Sequence, residues 1–386
     1  MNIFFRADAN SSIGMGHVMR CLSIADAFHS LDNDSIIITF ILADDTVEKL
    51  IQDRGYKTVV LHSKYSKMEG ELPLWDIQSF EAIYLLIVDS YYVTEHYLSS
   101  LRELIRTQDN NGDKGKLVYI DDVNAFPYPV DILINYNIYG SSVDYEEMYA
   151  GSDYYPESPV FILGSNYAPL RSMFRGVDRK VQNRNVVNIL FSTGGSDELH
   201  LTLSILNHLC ASDASNSSKN GRIYHFLLGT MNTDKDQIRL IAQDRDFIVL
   251  HENITDMKSL ITAMDVCISA AGSTLYEICA CGVPLITYSL ADNQVLGAEA
   301  FSSLGLAINV GDLRVPDTID SSSVMSGELD GSAVERIWTA IEELSLDYRK
   351  RCDAGERMQS LIDGCGADRM VEKLQSIYTS SNHQTL

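Results

Sequence analysis

A histidine directly after a Gly-x-Gly turn is the first feature of this sequence that could do chemistry. In S-S-I-G-M-G-H-V-M-R-C (11–21), Gly14 and Gly16 precede His17. The apolar opening N-I-F-F-R reads as a strand and the continuation as a helix, which puts His17 in a first helical turn. That turn lies at the carboxyl edge of strand one, the edge where open α/β sheets bind ligands. The helix dipole opposes an imidazolium there by ~0.3–1 kcal/mol and so favours the neutral ring that a general base needs. Spacing alone leaves two readings: a general base, or a histidine that orders the turn by capping or packing. The turn is not a dinucleotide fingerprint, because position 19 is Met where the third glycine should stand, and no acidic residue clearly ends strand two as a ribose ligand should, although Asp44 is a candidate. No G-K-[ST] follows, which excludes a P-loop.

A second candidate lies far along the chain. M-D-V-C-I-S-A-A-G-S-T-L-Y-E (264–277) reads as strand, small-residue turn and helix. Ala271, Gly272, Ser273 and Thr274 bring backbone N–H groups and two hydroxyls to a helix N-terminus, a site suited to a diphosphate. Glu277 follows about one turn in, placed either to accept from ribose hydroxyls or to sit as a solvated helix residue. L-A-D-N-Q (290–294) adds amides suited to sugar hydroxyls. In the first half, three strand ends carry polar residues: Asp89-Ser90-Tyr91, Asp121-Asp122 and Asn135-Tyr136-Asn137. Each could be a turn or cap; together they suggest a wall that reads a polar, neutral sugar. No cluster has metal-ligand spacing: Asp121-Asp122 is not D-x-D, and H-E-x-x-H is absent.

The elements that must position these residues alternate short apolar runs with helical patterns. Strands are predicted at 2–6, 36–42, 56–61, 82–89, 116–121, 132–135 and 160–163, with helices between several of them, as at 17–30 and 93–107. The composition turns polar and basic around 172–186. The pattern then restarts at V-V-N-I-L-F-S-T-G-G-S-D (186–197), with further strands near 223–229, 247–251, 266–272, 284–289 and 307–310. The expectation is an α/β chain of two Rossmann-like domains facing across a cleft. It divides as 1–175, a linker at 176–186, 187–362, and a C-terminal helix and frayed tail (363–386) that could pack back on the first domain. The insert 211–221 reads as a mobile loop, the polar stretch 311–333 as irregular, and the tail as three helices at 333–345, 347–362 and 367–379.

Composition bounds the partners. At 386 residues, 45% hydrophobic and 22% charged, the chain suits two soluble domains. No apolar run approaches ~20 residues, so no membrane span is expected. Arg6 and Asp8 in the opening run, without a signal-peptide pattern, make the cytoplasm the default location. Seven scattered cysteines read as reduced, mostly buried thiols. A net charge of −23 without a basic stripe argues against nucleic acid as a partner. An anionic ligand would have to be held by local dipoles.

Taken together, I-G-x-G-H-V-M-R, Y-A-P-L-R (167–171), G-G-S-D (194–197) and A-A-G-S-T-L-Y-E with A-D-N-Q resemble the UDP-2,4-diacetamido-2,4,6-trideoxy-β-L-altropyranose hydrolases of pseudaminic acid biosynthesis (the PseG family). From D-M-K-S-L (256–260) to Asn293-Gln294 the second half also resembles MurG-type glycosyltransferases that use UDP-N-acetylglucosamine. The matches run from about residue 3 to 310. The resemblance implies a GT-B fold with UDP held mainly by the second domain, and hydrolysis of the anomeric C–O bond without metal or cofactor. It places the catalytic base on His17. It places Arg6, Gly14, Gly16, Arg20, Asp89, Tyr91, Asn137, Tyr167, Arg171, Asn293 and Gln294 on the sugar side. UDP would be met by Gly194, Gly195, Ser196, Ile254 (at uracil), Met257, Ala271, Gly272, Ser273 and Thr274 (at the diphosphate) and Glu277 (at ribose). The expected partners are a UDP-sugar and water. Two other classes stay open. A glycosyltransferase would want an acceptor groove, and for a lipid acceptor a basic or apolar patch; neither is visible, and −23 opposes docking on anionic lipid. A sugar-nucleotide sensor would not need His17. Neither the oligomeric state nor the preferred sugar stereoisomer is written in the sequence.

Overall fold

Apolar runs buried on both faces assemble into two parallel sheets. The computed structural model describes residues 1–10, 13–31, 35–75, 83–107, 114–150, 152, 158–213, 221–316 and 325–382. The chain separates into one unit of residues 1–172 with 365–386 and a second of residues 173–364.

The first unit carries β1 (Asn2–Ala7), β2 (Ile37–Leu42), β3 (Lys57–Val60), β4 (Ile83–Asp89), β5 (Lys116–Ile120), β6 (Ile132–Asn135) and β7 (Val160–Leu163). Their order is β3-β2-β1-β4-β5-β6-β7, all parallel. The chain leaves β1 toward one side and returns at β4 on the other, so the switch point lies between β1 and β4, with Ala7 paired to Asp89 at their carboxyl ends. Every residue of β1 is buried, as a central parallel strand requires. Phe4, Leu86, Val88, Leu98, Leu101 and Tyr119 belong to the core beneath. The helix Glu95–Arg106 starts at Thr94, whose hydroxyl accepts from Tyr97 N–H at 3.1 Å, and its ends carry Glu95 and Arg106 in the favourable sense of the dipole.

The second unit repeats the plan with β8 (Asn188–Ser192), β9 (Ile223–Leu228), β10 (Ile248–Glu252), β11 (Val266–Ala270), β12 (Leu285–Ser289) and β13 (Ala307–Asp312). Their order is β10-β9-β8-β11-β12-β13, so its switch point lies between β8 and β11. Both Gly-rich turns of this half, 194–197 and 271–274, follow those two strands. Residues 176–186, polar in sequence, are held along this unit: Lys180 Nζ donates to Met264 O at 2.7 Å, Gln182 Nε2 to Gly282 O at 2.8 Å and Asn183 Nδ2 to Asp265 Oδ1 at 2.7 Å.

The stretch 311–333, expected to be irregular, instead contains an antiparallel ribbon of β14 (Arg314–Pro316) and β15 (Met325–Leu329). M-S-G-E-L has little β propensity. Cross-strand pairing rather than local preference makes it a strand, and Pro316 is tolerated because the ribbon has free edges. Most of the 211–221 insert lies outside the described residues. Three helices follow, Ala333–Leu346, Tyr348–Leu361 and Gly366–Asn382. No helix among the described residues is long and apolar enough to cross a membrane.

The last helix belongs to the first unit, where Met370, Val371 and Leu374 are fully buried. It comes so close at its start that a Cβ on Gly366 would lie 2.2 Å from Ala168 O. Gly366→Ala is therefore expected to lift the helix start. Hydrogen exchange should show amides of Met370 and Leu374 losing protection while β8 and β11 keep theirs.

Candidate active site

At the switch point of the first sheet, β1 leads into the turn that carries His17 and β4 ends at Asp89. Asn10 shapes the turn: its Oδ1 accepts from Ile13 N–H at 3.1 Å and its carbonyl from Gly14 N–H at 2.8 Å. Gly14 has φ +70°, a left-handed conformation that glycine adopts without strain. The helix Gly16–Leu31 then begins, and His17 lies buried in its first turn.

His17 Nδ1 lies 2.6 Å from Asp89 Oδ1. A carboxylate oxygen can only accept, so Nδ1 carries the proton, and in the neutral ring it is Nε2 that presents the lone pair. The 3.1 Å approach of Arg20 Nη2 to the same Nδ1 is therefore a contact, not a hydrogen bond. Arg20, one turn along the helix, grips Asp89 from the other side, with Nε donating to Oδ2 at 2.5 Å and Nη2 donating to Oδ1. Its Nη1 donates to Asp122 Oδ2 at 2.6 Å and to Tyr136 Oη at 2.7 Å. Burial opposes the ionised form of Asp89, but Arg20 and His17 outweigh it and hold the carboxyl well below the usual carboxylate range. Tyr91, exposed, sets its ring edge-on to the imidazole with centroids 4.3 Å apart. The result is an imidazole fixed in one tautomer by a buried carboxylate, the arrangement of an oriented general base.

Several residues expected at a sugar are thus occupied within the protein. Asp89 and Arg20 are buried supports of His17. Arg6 is fully buried on β1, donating from Nε to Glu71 Oε2 at 2.9 Å, from Nη2 to Glu71 Oε1 and from Nη1 to Asp8 Oδ2 at 2.5 Å. It anchors the segment after β3 and has no edge left for substrate. Asp121 likewise accepts from Val123 N–H, Asn124 N–H, Tyr128 Oη and Tyr145 Oη, which makes it the organiser of its own loop. Asn137 remains half-buried, with Nδ2 donating to Asp122 Oδ1 at 2.8 Å. Tyr167, at the end of a short 3₁₀ turn, and Arg171 are half-buried beyond β7.

In the second unit, the turn after β11 differs in detail from a full cradle. Ala271 N–H donates to Tyr288 O at 2.9 Å and Gly272 N–H to Ala270 O at 2.8 Å. That leaves the N–H groups of Ser273 and Thr274, at the start of the helix Thr274–Cys281, as the donors for an anion. Gly272 and Ser273 are exposed and Glu277 half-buried. After β8, Gly194, Gly195 and Ser196 are at least partly exposed, and nothing stands within 4 Å of where a Cβ would sit on either glycine. Asp197 departs from the expected cradle: it is buried, and its carboxylate accepts from Leu201 N–H at 3.0 Å and Thr202 N–H at 3.1 Å. A carboxylate therefore already caps the helix Leu201–Asp213. Ile254 is half-buried after β10 and Met257 buried in the short helix Met257–Thr262. Asn293 is exposed, while Gln294 turns its Oε1 back to accept from Leu290 N–H at 2.8 Å, leaving only its amide N–H groups for a sugar.

Residues 188–322 match the glycosyltransferase family 28 C-terminal domain. Over 385 residues, 98% of this chain and 99% of the other, the sequence is 24% identical to the spore coat polysaccharide biosynthesis protein SpsG of Bacillus subtilis. It is 26% identical over 209 residues to the UDP-2,4-diacetamido-2,4,6-trideoxy-β-L-altropyranose hydrolase of Campylobacter jejuni, covering 54% of this chain and 66% of that one. An uncharacterised Methanocaldococcus jannaschii protein is 25% identical over 74% of this chain, which spans 55% of that relative's length. Among solved structures, Acinetobacter baumannii MurG superposes with a TM-score of 0.58 at 12% identity, covering 97% of this chain and 100% of that one. A spinosyn rhamnosyltransferase bound to thymidine diphosphate gives 0.59 at 11% identity, covering 97% and 100%. The fold is GT-B-like, built of two Rossmann-like domains.

Asp89→Asn should test the support of the imidazole. It leaves Arg20 facing a neutral amide, a broken buried pair that costs about 3–5 kcal/mol at neutral pH. The folded carboxyl ionises below its unfolded range of about 3.9, so its stabilisation is present above roughly pH 5 and fades as pH falls. Urea unfolding of wild type and Asp89→Asn should therefore converge as the pH drops below about 4.

Proposed function

We propose that this protein hydrolyses a UDP-linked 2,4-diacetamido-2,4,6-trideoxyhexose of the β-L-altropyranose type to free sugar and UDP, as in pseudaminic acid biosynthesis. The observation that carries the reading is the single oriented base at the first switch point, His17 on Asp89. Glycoside hydrolases generally need two carboxylates, because an alcohol leaving group must be protonated. UDP leaves as a stable anion. Its developing charge can rest on the N–H groups of Ser273 and Thr274, and one base is then enough. In this scheme His17 Nε2 takes a proton from water as the water oxygen bonds to the anomeric carbon. The C–O bond to UDP breaks, and its electron pair leaves with the diphosphate. Asp89 stabilises the imidazolium that forms, and the Gln294 amide N–H groups are polar donors for the sugar. The 26% identity over 209 residues to the Campylobacter jejuni hydrolase supports the substrate class.

A glycosyltransferase reading has its own support in the family 28 domain at 188–322 and in the full-length similarity to the Bacillus subtilis polysaccharide biosynthesis protein. There the same base would deprotonate an acceptor hydroxyl in place of water.

UDP release from a panel of UDP-diacetamido sugars, without any acceptor, separates the two. Hydrolysis predicts steady turnover, with heavy oxygen from labelled water entering the sugar and not UDP. Turnover that begins only when an acceptor is added would favour transfer. His17→Asn should abolish release while UDP-sugar affinity stays within a few-fold, and Asp89→Asn should lower kcat about 10²–10⁴-fold with little change in KM. Unchanged kcat in His17→Asn would remove the imidazole from the reaction.

A further inference from the structure

The loops after β8 and β9 are locked into one platform at the second switch point. Met231 N–H donates to Gly195 O at 3.1 Å, and Asn232 Nδ2 reaches Asp197 Oδ2 at 3.4 Å. Their approach leaves no room for a side chain at Gly229, where a Cβ would lie 2.2 Å from Gly195 O. Asp197 and His200 both hold left-handed backbone, with φ 55° and 53°, a conformation uncommon outside glycine and a recurrent mark of functional loops.

This platform presents an electrostatic problem for an anionic ligand. The buried Asp197 carboxylate occupies the helix start that a phosphate would otherwise use. The ten residues read as UDP ligands include no lysine or arginine, and the chain carries a net charge of −23. Several cations of this unit are occupied. Arg239 pairs with Glu252 and Asp236, Arg314 with Asp312 and Asp292, and Lys235 Nζ turns back to Thr230 O at 2.8 Å. His200 is different. It is 58% exposed, its Nδ1 is 2.5 Å from Asp234 Oδ2, and its Nε2 makes no hydrogen bond among the described residues.

We propose that His200 is a phosphate ligand of this protein: its imidazolium donates from Nε2 to an oxygen of a nucleoside diphosphate, while Asp234 fixes the ring from Nδ1. This rests on the reading that the second unit binds UDP. The charged groups acting on the ring are Asp234, from the loop after β9, and Asp197, from its own loop. The hydrogen bond to Asp234 comes first, and both raise the imidazole above its ordinary value, against a slight effect of burial. The cationic form is thereby favoured relative to an unpaired imidazole. As pH rises through the imidazole's range the charge is lost and the diphosphate should be held less tightly.

Titration calorimetry with UDP and with uridine tests this directly. His200→Asn, which tolerates left-handed backbone, should weaken UDP binding about tenfold, the size of one charge-assisted hydrogen bond, and leave uridine binding unchanged. His200→Lys should recover most of the loss. The ratio of wild-type to His200→Asn affinity removes the ligand's own titration; it should fall with rising pH, and the fall should move to lower pH in an Asp234→Asn background. UDP binding by His200→Asn as tight as wild type overturns the proposal, as does equal loss of UDP and uridine. Wild-type protein that binds neither ligand overturns the UDP reading itself, and this proposal with it.

Discussion

A carboxylate buried at the first switch point organises this half of the protein. Asp89 ends β4 within the sheet, where an ionised group is costly unless it is fully paired. Three side chains from one helix meet it: His17, Arg20 and, more distantly, the Cys21 thiol at 3.6 Å. Positions 17, 20 and 21 share one face of a helix, so a single element satisfies the charge and fixes its own rotation against the sheet. Arg20 then extends the network to Asp122 and Tyr136 at the ends of the next strands. The same bonds that stabilise a buried charge also lock the imidazole tautomer. Stability and the proposed chemistry therefore draw on one interaction.

The two units repeat one topology but use their switch points differently. In the first, the crevice is lined by a histidine and by polar groups already tied to one another. In the second, it is lined by exposed glycines and small hydroxyl residues, with backbone N–H groups at Ser273 and Thr274. In the proposed reaction, a base that must keep one orientation wants a rigid, buried surround, and a phosphate that must enter and leave wants open backbone. The Asp197 cap marks a further difference between the two Gly turns of the second unit: one helix start is open to an anion and the other already holds one.

Much of the architecture was legible in the sequence, because parallel strands covered on both faces must be short continuous apolar runs and the helices between them must not be. Each run read as a strand in 2–163 became one, within a residue or two at its ends. The ribbon at 314–329 was not legible, since M-S-G-E-L forms a strand only through its partner. His17 could be singled out from the glycines before it, and the turn at 271–274 from its small residues. Asp89 and Arg6 were recognisable as polar residues near strand ends, and Arg20 from the motif that carries His17, but none of them as a member of a buried pair. Apart from Asp8, two positions from Arg6, their ion-pair partners lie 65 to 102 positions away, a separation at which spacing carries no information.

The sequence by itself determined two successive α/β units, the Gly-rich turns at their ligand-binding edges and a histidine where chemistry could occur. It did so because strand and helix periodicities and turn residues are local properties. Tertiary structure alone decided which polar side chains are supports and which remain open. Asp89 orients His17, Arg6 holds Glu71, Asp197 closes a helix start, and His200 stands out on Asp234. Those assignments depend on which strands lie side by side, and charge pairing across a sheet edge exists only after the sheet has formed.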